Sequence, residues 1–211
     1  MNVIKTGEVL PDIFAVSNRQ VNFYIMKTAQ KYIAFDAGTS EKMSVNELAK
    51  IKINRDDITA VFLTHTDSDH VGAITLFKNA KIYISKPEEQ MINGDIKRAF
   101  ILGYNKLAQS YETLDDGESV DIDGMNIKCI ITPGHTNGSA CYIANGKYLF
   151  SGDNFSLKNG KADLFIALFN MDGNEQKKNL KKIAGLQNIE AVFTGHHGYT
   201  ENFNEAFEKW R

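Results

Sequence analysis

The chain has 211 residues and little cysteine: only Cys129 and Cys141, whose spacing makes neither a CxxC metal motif nor a disulfide framework. That scarcity excludes a small, stapled secreted scaffold and fits a reducing compartment. A surplus of one charge is also lacking. The 24 Lys+Arg against 26 Asp+Glu leave a net charge of -2, which gives no electrostatic footprint for nucleic acid or an anionic membrane surface. No apolar run approaches the ~20 residues that a bilayer-spanning helix needs. The opening residues, MNVIKTGEVLPD, have no signal-peptide apolar core. A cytoplasmic chain with neither a nucleic-acid nor a membrane partner is therefore expected. Long linkers, repeats and low-complexity tracts are missing too. With 43% hydrophobic and 24% charged residues, the length suits one domain over 1–211 with a full core.

Histidine is scarce as well, and its placement is informative. The five are His65, His70, His135, His196 and His197, gathered at three places. Each place follows a short apolar run: the β-branched and aromatic residues 60–64 before His65, residues 127–131 before Pro133, Gly134 and His135, and residues 189–193 before Gly195 and His196. A fourth run, KYLFSGD, ends at Asp153 in the same manner. Short apolar runs closed by Gly or Pro predict buried strands with a loop at the C-terminal end. Four strand ends presenting His or Asp predict a metal site at one rim of a β-scaffold, because His and carboxylate clusters are the usual ligands of such ions.

Within the first cluster, alternation along an extended segment puts His65, Asp67 and Asp69 on one face and His70 on the other. A change of chain direction towards the apolar residues 71–77 then lets one cluster serve two ions. His65 and Asp67 are expected at one, Asp69 and His70 at the other, with His135 and His196 completing the two sets and Asp153 bridging. Two ions ~3.5–4 Å apart can hold a hydroxide between them and polarise a substrate oxygen.

The chain resembles the metallo-β-lactamase superfamily at these residues. HTDSDHVGA is similar to the HxHxDH signature, TPGHTNGSACY to the TPGHTxGS segment, FSGDNF to the strand carrying the bridging Asp, and FTGHHG to the last ligand loop. IAFDAGTS, with Asp36 and Gly38, is similar to the family's early D-x-G turn. The resemblance implies an α/β fold, a four-layer αβ/βα sandwich with ligands at one sheet edge. It implies His65 and His135 at the first metal, Asp69, His70 and His196 at the second, and Asp153 between them. His197 has no ligand role in the family; it is expected in a second shell or facing substrate, or in place of His196 if the loop is shifted by one. Asp67 stands where the family has its second histidine. A carboxylate there favours harder ions, manganese or iron, relative to a nitrogen-rich zinc site, and its short reach leaves open whether it ligates at all.

The resemblance implies a hydrolase using two divalent metal ions, zinc first and iron or manganese because of Asp67, on a small ester, thioester, lactone, amide or phosphoester. Asp69 is the expected catalytic residue, orienting the hydroxide as well as ligating. Two other readings stay open: a diiron redox or oxygen-sensing protein, since flavodiiron members carry a carboxylate at the Asp67 position, and a non-catalytic metal-binding domain. No β-lactam substrate is expected, because no cysteine takes a ligand position. Strict hydroxyacylglutathione chemistry is disfavoured, because only 14 residues follow His197. Elsewhere, residues 86–114 predict a largely helical stretch from Pro87, with Met91, Phe100, Tyr104 and Leu107 as a face leaning over the rim. KADLFIALFNMD predicts an apolar edge to the pocket. Asp172 is a candidate helix cap ahead of a solvated face of Lys177, Lys178, Lys181 and Lys182. A small-molecule substrate is the expected partner. Oligomeric state is left open: Trp210 is suited either to a dimer contact or to capping the core.

Overall fold

The computed structural model describes residues 2–98, 107 and 109–211. Among these, two sheets pack face to face with helices on the outside, the four-layer α/β sandwich. The first sheet takes seven strands in sequence order: β1 (Gly7–Leu10), β2 (Ile13–Asn18), β3 (Val21–Lys27), β4 (Tyr32–Phe35), β5 (Ile58–Phe62), β6 (Lys81–Ser85) and β7 (Tyr111–Leu114). Pairing is antiparallel from β1 to β4 and parallel from β4 to β7. The second sheet contains β8 (Ser119–Ile122), β9 (Met125–Ile131), β10 (Ala140–Ala144), β11 (Tyr148–Phe150), β14 (Ala191–Thr194) and β15 (Gly198–Thr200). A hairpin of β12 (Ser156–Lys158) and β13 (Lys161–Asp163) lies apart from both. The helices are α1 (Glu41–Lys50), α2 (Ser68–Val71), α3 (Glu89–Ile92), α4 (Gly173–Ala184) and α5 (Phe203–Ala206).

Strand alternation builds three apolar layers. Ile33 and Phe35 of β4 and Ala60 and Phe62 of β5 point between the sheets, where they meet Ile127, Cys129, Tyr142, Phe150 and Phe193. Their neighbours Ala34 and Val61 face outwards, in one cluster with Leu48 of α1 and Val71 of α2. Val192 and Leu149 face the opposite way, into a cluster with Leu180 and Ile183 of α4 and Phe203 of α5. A sheet covered on both faces needs near-continuous apolar strands, which is why β5 and β14 lack the polar alternation of a surface strand. An aromatic stack ties the sheets together: the rings of Phe35 and Phe150 lie 3.6 Å apart at 5°, and Phe150 stacks in turn on Phe193 at 4.7 Å.

This stack sits directly beneath the rim. Parallel pairing levels the ends of β4 and β5 (Phe35 beside Phe62) and of β11 and β14 (Phe150 beside Phe193). The residues that follow each of these strands therefore emerge side by side. The two sheets are stitched where they meet: Ala140 N donates to Thr64 O at 2.8 Å, the Tyr142 hydroxyl to Leu63 O at 3.0 Å, and Asn22 N to Gly195 O at 2.7 Å.

Two expectations are corrected here. Residues 86–114 do not form one long helix within the described part: after a single turn at Lys86–Glu88, α3 ends at Ile92. Asn93 follows, and Gly94 at φ 83° takes the left-handed conformation that stops a helix. Met91 is buried and Leu107 packs against the outer face of the first sheet, whereas Phe100 and Tyr104 lie outside the described residues. The extended stretch of the first histidine cluster is also shorter than expected. It ends at Asp67 (φ −63°, ψ 148°), and α2 begins at Ser68, so strand alternation never reaches Asp69. Asp172 does cap α4, accepting from Asn174 N and Glu175 N, and the four lysines of that helix face solvent. Trp210 is half-buried against the outer face of the second sheet, its indole N–H donating to Ala162 O at 2.8 Å. Both cysteines are free and buried, and burial pushes both thiols up to about 12, which leaves them chemically quiet.

Candidate metal centre

Five strand ends supply the rim. Asp36 follows β4, the stretch from His65 to His70 follows β5, His135 follows β9, Asp153 follows β11 and His196 follows β14. The turn at Gly134 (φ 143°) brings His135 in, and a Cβ there would lie 2.6 Å from Gln176 N at the start of α4. His65, His70, His135, His196 and Asp153 are all buried.

Their donor atoms converge in three overlapping groups, each within 4.8 Å: His65, Asp67 and His135; Asp69, His70 and His196; and His65, His70 and Asp153. In the first, Asp67 Oδ2 lies 3.3 Å from His135 Nε2 and 3.6 Å from His65 Nε2. In the second, Asp69 Oδ2 lies 3.2 Å from His196 Nε2 and 3.8 Å from His70 Nε2. Asp153 stands between them: Oδ2 is 3.1 Å from His196 Nε2 and 3.7 Å from His135 Nε2, and Oδ1 is 3.5 Å from His70 Nε2. A tetrahedral ion with ligands at ~2.0–2.1 Å separates those ligands by about 3.3 Å. The spacing of these groups is therefore compatible with that of an ion's ligands.

Two further observations fit the same group. Nε2 of His65, Nε2 of His70 and Oδ1 of Asp153 are buried without a hydrogen-bond partner, an unfavourable arrangement unless something else satisfies them. Each histidine is also anchored through its other nitrogen. Nδ1 of His70 meets Asp36 Oδ2 at 2.8 Å, Nδ1 of His196 meets Gln20 O at 2.5 Å, Nδ1 of His65 meets Thr64 Oγ1 at 3.0 Å and Nδ1 of His135 meets Asn170 Oδ1 at 3.3 Å. Acceptors at Nδ1 place the lone pair on Nε2, facing the cluster, which is how proteins orient ligating imidazoles.

The electrostatics record a surplus of negative charge. Burial opposes the charge on His70, but Asp153, Asp36 and Asp69 around it raise its pKa well above the ordinary value. Burial is likewise overcome at His196, which Asp153 and Asp69 push up to about 9. Asp69 is brought down to about 2, since His70 and His196 outweigh its burial, and Asp153 is held well below the usual range by the same two imidazoles. His135 behaves oppositely, and burial lowers it to about 4. Beside the cluster lies an open cleft of about 220 Å³, lined by Asp67, Asp69, His135, Asp153 and His196 together with Gln20, Thr39, Phe165 and Phe169. Phe165 sets its ring edge-on to His135 at 5.1 Å, so the apolar stretch after β13 does edge the cleft.

The sequence profile of the metallo-beta-lactamase superfamily matches residues 16–209. The chain belongs to the metallo-beta-lactamase superfamily. Among curated relatives it is 30% identical over 158 residues to a probable metallo-hydrolase of Methanocaldococcus jannaschii, covering 75% of this chain and 66% of that one. It is 33% identical over 100 residues to a probable polyketide biosynthesis zinc-dependent hydrolase of Bacillus subtilis (46% and 39%) and 25% identical over 189 residues to a hydroxyacylglutathione hydrolase of Aeromonas hydrophila (87% and 64%). The chain thus spans 66% or less of the length of these relatives. In fold it is similar to a HARLDQ-motif mutant of a metallo-beta-lactamase from Cronobacter sakazakii (TM-score 0.74, 18% identity, 99% of this chain and 94% of that one). It is similar also to a metallo-beta-lactamase family protein of Thermus thermophilus (TM-score 0.71, 18% identity, 96% and 79%).

All seven residues expected as ligands of a metallo-beta-lactamase superfamily site lie in the cluster, whereas His197 lies outside its three groups. The His197 ring stands edge-on to Phe165 at 6.0 Å and its backbone N–H donates to Thr194 Oγ1, so of the two adjacent histidines it is His196 that turns into the site. Residues that sequence reasoning left without a role also shape this superfamily site. Asp36, in a left-handed conformation at φ 64°, accepts from Thr64 N and Thr64 Oγ1 while holding His70. Glu88, fully buried, accepts from Thr66 N, Thr66 Oγ1 and Thr136 Oγ1, tying the His65 loop to the His135 loop. Burial raises its pKa. Arg98, also buried, grips Asp67.

Proposed function

We propose that the chain is a metal-dependent hydrolase of a small ester, thioester, lactone, amide or phosphoester. The observation that carries this reading is the convergence of four imidazoles and three carboxylates in one cluster beside the cleft, with buried donors that have no partner of their own. His65, Asp67 and His135 would hold one divalent ion and Asp69, His70 and His196 a second, with Asp153 shared. Zinc is favoured by the tetrahedral spacing and by the zinc-dependent relative; the three carboxylates leave manganese and iron as acceptable substitutes. Such ions, when bound, lower the pKa of water and polarise a substrate oxygen.

The chain's own residues do the rest. Asp69 has the most exposed side chain of the three carboxylates, at 23%, and stays ionised, so its free oxygen can accept a proton-bearing water at the cleft. Asp36 and the Gln20 carbonyl fix the tautomers of His70 and His196. Phe165 and Phe169 present apolar surface along the cleft beside the cluster.

The test is a panel of ester, thioester, lactone, amide and phosphodiester substrates presented to the chain stripped by chelator and then reloaded with zinc, manganese or iron. Hydrolysis is expected only after reloading. A folded, metal-loaded chain inert towards the whole panel would overturn the reading.

Gly195 supplies a finer check. An added Cβ would lie 2.6 Å from Asp153 Oδ1 and 2.8 Å from His70 Cε1, yet Gly195 is not among the residues with positive φ. Gly195→Ala should therefore leave the backbone unstrained and spread the donors. Zinc affinity is expected to fall roughly 10–100-fold, the scale of losses when ligand-orienting contacts are disturbed. Equilibrium zinc titration of the folded variant measures this, and unchanged affinity would contradict it.

A further inference from the structure

The two donor groups differ in one respect that the proposed hydrolase does not require. Arg98, 4% exposed, inserts its guanidinium into the first group. Its Nε donates to Asp67 Oδ1 at 2.9 Å and Oδ2 at 3.0 Å, and its Nη2 donates to Asp67 Oδ2 at 2.6 Å. The same Nη2 lies 3.0 Å from His135 Nε2, and Nη1 donates to His135 O. Two of the three donors of that group, Asp67 and His135, are thus already engaged by a fixed positive charge.

The second group carries the opposite balance. Asp69 and Asp153 have only imidazoles as ion-pair partners; among the described residues no lysine or arginine lies within 4.0 Å of either. Asp69 there, and Asp153 shared between the groups, lack a permanent counter-cation, whereas Asp67, the first group's own carboxylate, has one. A divalent ion gains most where negative charge is uncompensated. At the first group it must displace the guanidinium or sit beside a like charge in a poorly screened interior.

We infer that Arg98 makes the two groups unequal: a divalent ion is held tightly by Asp69, His70, His196 and Asp153, and the His65–Asp67–His135 group takes an ion only when Arg98 swings off Asp67. Arg98 is then a positioning residue that governs loading. The inference rests on the metal-dependent reading of the site, and counting ions tests it independently of turnover.

The experiment is titration of the chelator-stripped chain with zinc against a chromophoric competitor, followed by elemental analysis after dialysis. The wild type should retain one ion per chain and bind a second weakly. Arg98→Met removes the charge and keeps an apolar stem; its first group should gain at least about 100-fold in affinity, because the like charge beside the ion is gone, and two ions should survive dialysis. Arg98→Lys keeps a charge without the planar fork and should retain one. Cobalt substitution should show one absorbing environment in the wild type and two in Arg98→Met. Two tight ions in the wild type would overturn the inference while leaving the hydrolase reading intact, and this holds even if Arg98→Met fails to fold. A folded Arg98→Met that still retains one ion would also overturn it. No bound ion in any form would overturn both readings.

Discussion

Alanine at both His70 and Asp153 is expected to lower kcat/KM by at least about 10³-fold on any substrate the chain hydrolyses, because it removes the donors that make a bound ion able to activate water near neutral pH. Asp153 is the shared donor, reaching His70, His135 and His196 at 3.1–3.7 Å, so with His70 also gone two of the three donor groups lose members and the remaining one, His65, Asp67 and His135, loses the carboxylate shared with it. His70 is the imidazole of the cluster whose Nδ1 is anchored by a carboxylate, Asp36 at 2.8 Å. Replacing both together matters to the design. Losing Asp153 alone leaves the imidazoles one carboxylate short, and losing His70 alone leaves a buried carboxylate short of a partner, either of which costs stability. The fold itself rests elsewhere, on the apolar layers between and outside the sheets, and Asp36 keeps its hydrogen bonds from Thr64. Circular dichroism should therefore show a folded variant. Activity within about tenfold of wild type, in a folded variant, would remove the metal cluster from the mechanism.

How much of this was legible in the residues differs from element to element. The strands under the rim were, because a buried strand must be apolar on both faces and must stop where a polar donor begins; β5, β9, β11 and β14 all end just before a predicted donor. The seven residues of the cluster were legible as candidates because His and Asp are costly to bury without a partner, so their placement at strand ends raised the expectation of a shared ion. Gln20 was not, since it acts through a backbone carbonyl that every residue possesses. Arg98 was not, because a single arginine beside Lys97 has no local signature, and its contact with Asp67 spans 31 positions. The early start of α2 escaped a reading based on alternation. The carboxylate of Asp67 makes no capping hydrogen bond to announce the helix, being held by Arg98 instead.

Zinc and acid should compete for this site, with a sign opposite to that of the metal-free fold. In the metal-free chain His196 titrates at about 9, and His70 is also raised, so near neutral pH both carry protons that an ion must displace. His135, lowered to about 4, and Asp69, lowered to about 2, are already in their ligating forms and release nothing. Each displaced proton weakens apparent affinity about tenfold per pH unit as pH falls, so the step from pH 8 to pH 6 should cost about 100-fold per displaced proton. Without metal the linkage reverses. A histidine whose folded pKa is raised stabilises the fold fully below its unfolded value, about 6.5, and loses that contribution as pH climbs through about 9. The stripped protein should thus lose the His196 contribution as pH climbs from 6 to 9 while the zinc-loaded protein holds its stability, because tighter binding offsets that loss by mass action and the gap between the two widens. Melting curves with and without zinc across that interval, and calorimetric proton release in two buffers, measure the two limbs. A gap in Tm that stays constant with pH, with no protons released, would mean that the Nε2 atoms of His70 and His196 are not where the ion binds.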